Sequence, residues 1–111
     1  MINFKEYQER AMTTAVYPDC GKGNWTYPAL GLAGETWEIC ENLKKAIRDD
    51  GGKVTPERLA VLSKELGDVL WYVAALGREL GLDMEKIAEE NLAKLSARKV
   101  AGKIHGDGDL R

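Results

Sequence analysis

The sequence predicts an all-α domain built from four helices. Four stretches of the chain carry apolar residues at helical spacing. Helix-capping residues precede three of these stretches, at Asn3, Thr55 and Asp83, and glycines end two of them, at positions 51–52 and 81. The 111 residues, 44% hydrophobic and 31% charged, suit a single domain with a modest core.

Each predicted helix has its own start or stop signal. The first begins with a capping box formed by Asn3 and Glu6 and runs to about Ala15. The second ends at a run of aspartates and glycines, and the third begins with a proline in its first turn. The predicted bounds of helices two to four are about Pro28 to Arg48, Pro56 to Leu80 and Met84 to Val100. Residues 1–100 therefore form one domain, followed by a glycine-rich, flexible tail at 101–111.

A loop over residues 17–24 separates the first two helices. Trp25 and Tyr27 follow it, just before Pro28, which suits the first turn of the second helix. Two roles are open for these two aromatic residues. They staple the loop to the core, or they stack on a planar ligand.

Two pairs of carboxylates lie in the second and third helices: Glu35 with Glu38, and Glu65 with Asp68. Residues three apart on a helix lie about 60° apart on one face, so each pair can direct its oxygens at one point. Each pair also borders the apolar stripe of its own helix at a similar angular offset. The stripes are Leu32, Ile39, Leu43, Ala46 and Ile47 in the second helix, and Leu62, Leu66, Val69, Val73, Leu76 and Leu80 in the third.

The matched offsets predict that the two pairs meet. If the two helices pack antiparallel, both pairs turn into the same cleft, where four carboxylates would repel one another unless cations were present. A single pair of this kind is more often a solvated surface, but two pairs with the same relation to a core favour a metal site. Magnesium is the expected ion, because it prefers carboxylate and phosphate oxygens and the pairs include no His or Cys.

The predicted fourth helix has polar residues on the face that it should bury. Asn91 falls in the middle of the apolar stripe, Arg98 lies near its edge, and Lys94 lies about 60° from Asn91. Together they form a polar track suited to phosphate or sugar oxygens. The alternative is a buried asparagine satisfied by the backbone, with two cations that extend to solvent. The stripe itself is Met84, Ile87, Ala88 and Leu95.

Composition argues against several classes of function. The net charge of -2 provides no basic field for nucleic acid or an anionic membrane, so neither is an expected partner. Cys20 and Cys40 lack the spacing of a zinc site and suit reduced thiols in a cytoplasmic protein. The N-terminus has no apolar run long enough for a signal or a membrane span. With a single histidine, His105, the chain cannot supply the Glu-x-x-His ligands of di-iron bundles.

Three motifs follow one another along the chain. They are Gly-Leu-Ala-Gly-Glu-x-x-Glu at 31–38, Glu-Leu-Gly-Asp-Val-Leu-Trp-Tyr at 65–72, and Asn-x-x-Lys-Leu-x-x-Arg at 91–98. Over about residues 25–100 the sequence resembles the MazG-type nucleotide pyrophosphohydrolases. The resemblance implies a four-helix bundle that uses magnesium, with manganese able to substitute. It also implies cleavage of nucleoside triphosphates into the monophosphate and pyrophosphate, often to cleanse nucleotide pools.

The resemblance assigns roles to individual residues. The metal ligands and catalytic residues that it implies are Glu35, Glu38, Glu65 and Asp68. Asn91 and Lys94 would contact the nucleotide; the full set of expected substrate contacts is Trp25, Asn91, Lys94 and Arg98. Many members have Glu-Glu-x-x-Glu, whereas Gly34 precedes Glu35 here, which leaves the number of metal ions open.

Two other classes of function remain open. A non-catalytic nucleotide-binding module would keep the aromatic and Asn/Lys contacts without turnover. A purely structural helical oligomer would bind neither metal nor nucleotide. Within the enzymatic interpretation, the sequence does not define the base or sugar, because aromatic stacking tolerates both.

A second chain is expected to complete the fold. Opposite their stripes, the two central helices carry small and aromatic residues, which are Gly67, Trp71, Ala74 and Ala75 on the third and Ala33 and Trp37 on the second. A helix that is apolar nearly all round is normally buried on both sides, and four helices cannot cover both sides of two of them. We therefore expect a homodimer or a dimer of dimers. The alternative is that the first helix, the fourth helix and the tail cover these faces within one chain.

Overall fold

The computed structural model describes residues 1–102, and this part of the chain contains four α-helices and no strand. The helices are α1 (Phe4–Met12), α2 (Thr26–Asp49), α3 (Pro56–Glu79) and α4 (Met84–Ala101). The all-α prediction is confirmed here. From residue 103 onward, the predicted tail lies outside the described residues. Within residues 1–102, no helix has an apolar stretch that could cross a lipid bilayer.

The helix ends follow the predicted capping residues. The side chains of Asn3, Thr55 and Asp83 accept hydrogen bonds from backbone N–H groups in the first turns of α1, α3 and α4. The predicted bounds hold to within two residues except at the end of α1, which stops at Met12. There the hydroxyls of Thr13 and Thr14 donate to the carbonyls of residues 10 and 11, which closes the last turn.

α2 and α3 form an antiparallel hairpin, and their packing is the most extensive between any two helices of the described chain. The turn between them uses two left-handed glycines, Gly51 and Gly52, with φ of 65° and 79°. Across the turn, the Arg58 guanidinium donates to the Asp50 carboxylate at 2.8 Å, and both side chains are largely buried.

The two helices of the hairpin approach each other closely at Gly31. A Cβ atom built at this position would overlap the ring of Tyr72, so only glycine leaves room for that ring on α2. The Tyr72 ring also packs edge-on against Trp71, with ring centroids 5.1 Å apart. This contact fixes which residues of α2 and α3 lie opposite one another.

α1 packs on one face of α3, the face that carries Trp71. The indole N–H of Trp71 donates to the Ala11 carbonyl at 3.2 Å and to the Thr14 hydroxyl at 3.0 Å. Ala74 and Ala75 have no exposed surface. Part of the α3 face that was expected to need a second chain is therefore covered within one chain, whereas Gly67 on α3 and Ala33 and Trp37 on α2 remain exposed.

Gln8 joins three parts of the fold through a single amide. Its amide nitrogen, Nε2, donates to the carbonyls of Ala74 and Leu82, and its Oε1 accepts from the backbone N–H of Met84. Glutamine can make these contacts because its amide both donates and accepts. α1 thus connects the end of α3 to the start of α4.

The apolar side chains that stay exposed lie partly on the stripes assigned to the core. Leu62 and Ala46 are buried as predicted, but Ile47 is 73% exposed and Leu66 is 58% exposed. Within residues 1–102, α4 packs most extensively on α1. Asn91 on α4 is also exposed, which contradicts its predicted place in a buried stripe.

The close approach at Gly31 can be tested by adding one methyl group. Gly31→Ala should lower the free energy of unfolding by about 1–3 kcal/mol, because the added Cβ overpacks against the Tyr72 ring. Urea unfolding followed by circular dichroism measures the change. Gly34→Ala is the matched control on the same helix, since a Cβ there meets open space. It should raise stability by up to about 1 kcal/mol through helix propensity. Equal effects of the two substitutions would contradict the proposed contact.

Candidate functional site

Three of the four predicted metal ligands meet between α2 and α3. One carboxylate oxygen from each of Glu35, Glu65 and Asp68 lies within 4.8 Å of the other two. Glu35 and Glu65 are half-buried and Asp68 is exposed. The antiparallel packing of α2 and α3 therefore brings the two pairs together, as the matched offsets predicted.

Glu38 lies apart from this group of three, which we call the carboxylate cluster. It is exposed and one helical turn further along α2 than Glu35. Its charge nevertheless contributes to the raised pKa of Glu35. The fourth predicted ligand thus borders the carboxylate cluster without joining it.

Glu35 binds a proton more tightly in the carboxylate cluster than a glutamate in water does. A hydrogen bond with Glu65, then burial, then the charges of Glu65, Asp68 and Glu38 raise the pKa of Glu35 to about 7. A proton on Glu35 is thus held where a cation would relieve the same repulsion. The donor set fits a hard divalent cation such as magnesium, because every donor is a carboxylate oxygen and Asp68 leaves the site open to solvent.

Two tyrosines that the sequence analysis did not identify border the carboxylate cluster. Burial raises the pKa of the Tyr72 phenol, and the charges of Tyr27, Glu35 and Asp68 raise it further. Burial also raises the pKa of Tyr7, with a smaller contribution from Asp68. Tyr72 stands one turn after Asp68 on α3, so helical spacing could have identified it. Tyr7 belongs to α1, and only tertiary packing brings it here.

The loop at residues 17–25 lies beside the end of the hairpin where α2 begins and α3 ends. The Tyr17 ring stacks on the Tyr27 ring, with centroids 5.0 Å apart and planes 6° apart, and it meets Trp71 edge-on at 6.4 Å. Tyr27 therefore performs the stapling role that the sequence left open for both aromatics. Trp25, by contrast, is 55% exposed.

A buried glutamate that sequence reasoning missed holds this loop. The side chain of Glu79 has no exposed surface. It accepts hydrogen bonds from the Tyr17 hydroxyl, from Gly21 N–H at 2.8 Å and from Gly23 N–H at 3.0 Å. Burial alone raises the pKa of Glu79, but these hydrogen bonds outweigh it and hold the pKa below its ordinary value. No local sequence signal marks Glu79, because its partners are 56 to 62 residues away along the chain.

The predicted polar track lies on α4, and none of its residues belongs to the carboxylate cluster. Asn91 lines a cavity of about 380 Å³ together with Phe4 and Val73. Asn91 and Lys94 together line a second cavity of about 290 Å³. Arg98 is buried, with 5% of its surface exposed. The structure therefore brings Asn91 and Lys94 together, outside the carboxylate cluster.

Comparison with known proteins shows the family of this chain. The family model described as the MazG nucleotide pyrophosphohydrolase domain matches residues 27–101. The chain is 42% identical over 109 residues to the gene 37 protein of Mycobacterium phage L5, with 95% of this chain and 96% of that protein covered. No solved structure matches the chain. The matched region contains all three helices that carry the carboxylates and the polar track, and the chain belongs to the MazG nucleotide pyrophosphohydrolase domain family.

Proposed function

We propose that this protein is a magnesium-dependent nucleoside triphosphate pyrophosphohydrolase that removes unwanted nucleotides from the cytoplasmic pool. Water would attack the α-phosphorus, the bond to the bridging oxygen would break, and the products would be a nucleoside monophosphate and pyrophosphate. The observation that carries the proposal is the convergence of Glu35, Glu65 and Asp68 in a chain of this family.

The carboxylate cluster would hold the metal. When bound, magnesium or manganese neutralises the triphosphate and lowers the pKa of an attacking water. Glu35, Glu65 and Asp68 would supply oxygens directly, and Glu35 would give up its proton as the metal binds. We propose Glu38 as the fourth ligand. Its exposed side chain would rotate toward Glu35 to bind the same ion, or it would hold a second ion. No nucleophilic side chain is required.

Residues outside the carboxylate cluster would bind the nucleotide. We propose that the exposed Trp25 stacks on the base, and that Asn91 and Lys94 contact phosphate or sugar oxygens. Arg98 belongs to the same predicted track but is buried. Asn91 and Lys94 therefore support this part of the proposal. The charged and aromatic groups together suit a triphosphate with a planar base.

Replacing one ligand tests the enzymatic role directly. Asp68→Asn should lower pyrophosphate release by at least about 100-fold under magnesium, because one metal ligand is lost. The metal-free variant should melt at the same or a slightly higher temperature, since one charge leaves a repelling cluster. A pyrophosphate assay over a panel of canonical and modified triphosphates measures turnover.

Glu41→Gln is the matched control for Asp68→Asn. Glu41 lies on α2 but pairs with Lys44 at 2.7 Å, away from the carboxylate cluster, so its loss should change turnover less than about twofold. Equal losses from both substitutions would contradict the assigned site. A wild-type protein that binds triphosphate but releases no pyrophosphate would instead be a nucleotide-binding module, and one that binds neither metal nor triphosphate a structural protein.

The raised pKa of Glu35 predicts how metal affinity depends on pH. With a pKa of about 7, a proton competes with the metal, so magnesium affinity should be about tenfold weaker at pH 6 than at pH 8. Without metal, the same shift should lower folding stability as the pH rises from 4.5 to about 7, because the folded state binds the proton more tightly than the unfolded chain does. Titration calorimetry at the two pH values measures the affinity. Glu35→Gln should bind more weakly and lose the pH dependence; an unchanged pH profile in that variant would contradict the assignment.

We also propose that the protein forms a homodimer or a dimer of dimers. The support comes from large apolar side chains that one chain leaves uncovered: Ile47 and Leu66 on the hairpin and Leu92, 67% exposed, on α4. Such side chains on three helices suit a self-complementary contact between two chains. We therefore propose that the contact between chains lies on the predicted apolar stripes, and not on the Trp71 face that α1 covers.

The proposed assembly has a simple test in solution. Light scattering of the wild type at micromolar concentration should give about twice or four times the chain mass of 12.3 kDa. Ile47→Glu should shift the protein toward the monomer, because it places a charge in the apolar contact of both chains. Lys45→Glu, an exposed position two residues earlier on α2, is the control and should leave the mass unchanged. A wild-type monomer with full activity would remove the proposal.

A further inference from the structure

Glu79 is a charged side chain that the proposed chemistry does not use. It lies at the end of α3, with its carboxylate fully enclosed, and it is not part of the carboxylate cluster. We propose that Glu79 is a positioning residue: it fixes the loop at residues 17–25 so that Trp25 is held ready for the base of the nucleotide. This inference rests on the proposed function for the identity of the ligand.

The contacts of Glu79 point to the loop and not to the helical core. Its two oxygens accept from three donors in the loop, which are the Tyr17 hydroxyl and the N–H groups of Gly21 and Gly23, and from the Arg78 guanidinium on α3 at 3.5 Å. Arg78 reinforces the arrangement, since its guanidinium donates to the Tyr17 hydroxyl at 3.2 Å and to Cys20 Sγ at 2.7 Å. Adjacent residues of α3 thus hold the loop at several points.

The loop backbone is shaped to meet this carboxylate. Gly21 and Gly23 have φ of 79° and 84°, a left-handed conformation that favours glycine and turns both N–H groups toward Glu79. An ionised carboxylate is tolerated in a buried place only when hydrogen-bond donors surround it. The loop and the carboxylate therefore depend on each other: without Glu79, the N–H groups of Gly21 and Gly23 would lose their acceptor.

Hydrogen bonds within the loop connect Trp25 to the residues that Glu79 holds. The backbone N–H of Trp25 donates to the Gly23 carbonyl at 2.9 Å, so Trp25 is one hydrogen bond away from a residue that Glu79 holds. Asn24 fixes the next step, because its side chain donates to the Pro18 carbonyl and accepts from Tyr27 N–H. The Trp25 side chain itself stays 55% exposed.

Trp25 is placed at a useful distance from the carboxylate cluster. It immediately precedes α2, and Glu35 follows ten residues later on the same helix, roughly 15 Å along the axis. That separation is on the scale of one nucleoside triphosphate. A triphosphate whose phosphates bind a metal ion held by Glu35 could then reach Trp25 with its base, provided that the loop keeps Trp25 in place.

Glu79→Gln tests the inference in the full-length protein. The variant keeps the size of the side chain but loses its charge and one acceptor oxygen, so the loop should loosen. We expect the KM for a triphosphate to rise about tenfold with kcat changed less than about twofold. The amides of Gly21 and Gly23 should also exchange with deuterium faster than in the wild type, with exchange in the middle of α2 unchanged.

A double-mutant cycle separates positioning from a general structural role. If Glu79 acts through Trp25, Trp25→Ala should raise KM by a similar factor, and adding Glu79→Gln to Trp25→Ala should raise it by less than about twofold more. Arg58→Gln, which breaks the ion pair with Asp50 at the far end of the hairpin, is the control for lost stability. It should lower the melting temperature but leave KM unchanged.

Tyr17→Phe guards against a Glu79 variant that fails to fold. It removes one donor to Glu79 and keeps the ring that stacks on Tyr27, so KM should rise about threefold, again non-additively with Trp25→Ala. Unchanged exchange at Gly21 and Gly23 in both variants, or KM losses that add fully to those of Trp25→Ala, would overturn the inference. A wild type that releases no pyrophosphate would count against the proposed function instead, and the exchange measurement would still decide whether Glu79 orders the loop.

Discussion

The contact between Gly31 and the Tyr72 ring is the constraint on which the rest of the structure depends. It sets the register of α2 against α3, and that register places Glu35 opposite Glu65 and Asp68. A shift of one residue along either helix would turn its carboxylates by about 100° and separate them. The proposed metal site therefore depends on a packing contact that contains no charge.

The same region of the hairpin has to tolerate opposing demands. Carboxylates meet between α2 and α3, and a hydrogen bond with Glu65, burial and the neighbouring negative charges together raise the pKa of Glu35. The ring of Tyr72 borders the carboxylate cluster and packs against Trp71, and this apolar contact area offsets part of the electrostatic cost. Functional sites commonly carry such local destabilisation, and a bound cation would relieve it here.

Local signals allowed much of the fold and part of the site to be predicted from the sequence. Caps such as Asn3 and Asp83 act within a few residues, and the helix ends followed them. Helical spacing likewise brought three of the four carboxylates together, because only the pairing of two adjacent helices was needed. The choice of the covered face could not be predicted in this way. α3 has two apolar faces, and the sequence does not say that α1 occupies the one with Trp71. Glu79 was missed for the same reason, since its partners are distant in the chain.

The amide of Gln8 has a consequence for how such a site can diversify. The proposed metal ligands belong to the α2–α3 hairpin, whereas Asn91 and Lys94 belong to α4, and α4 is attached mainly through α1. Gln8 is where these two units are joined. Substitutions in α1 can therefore tilt or shift α4 while the metal ligands keep their register. In evolutionary terms, the proposed phosphate or sugar contacts and the proposed metal site would then be carried by separable modules, and selection could act on the first without disturbing the second.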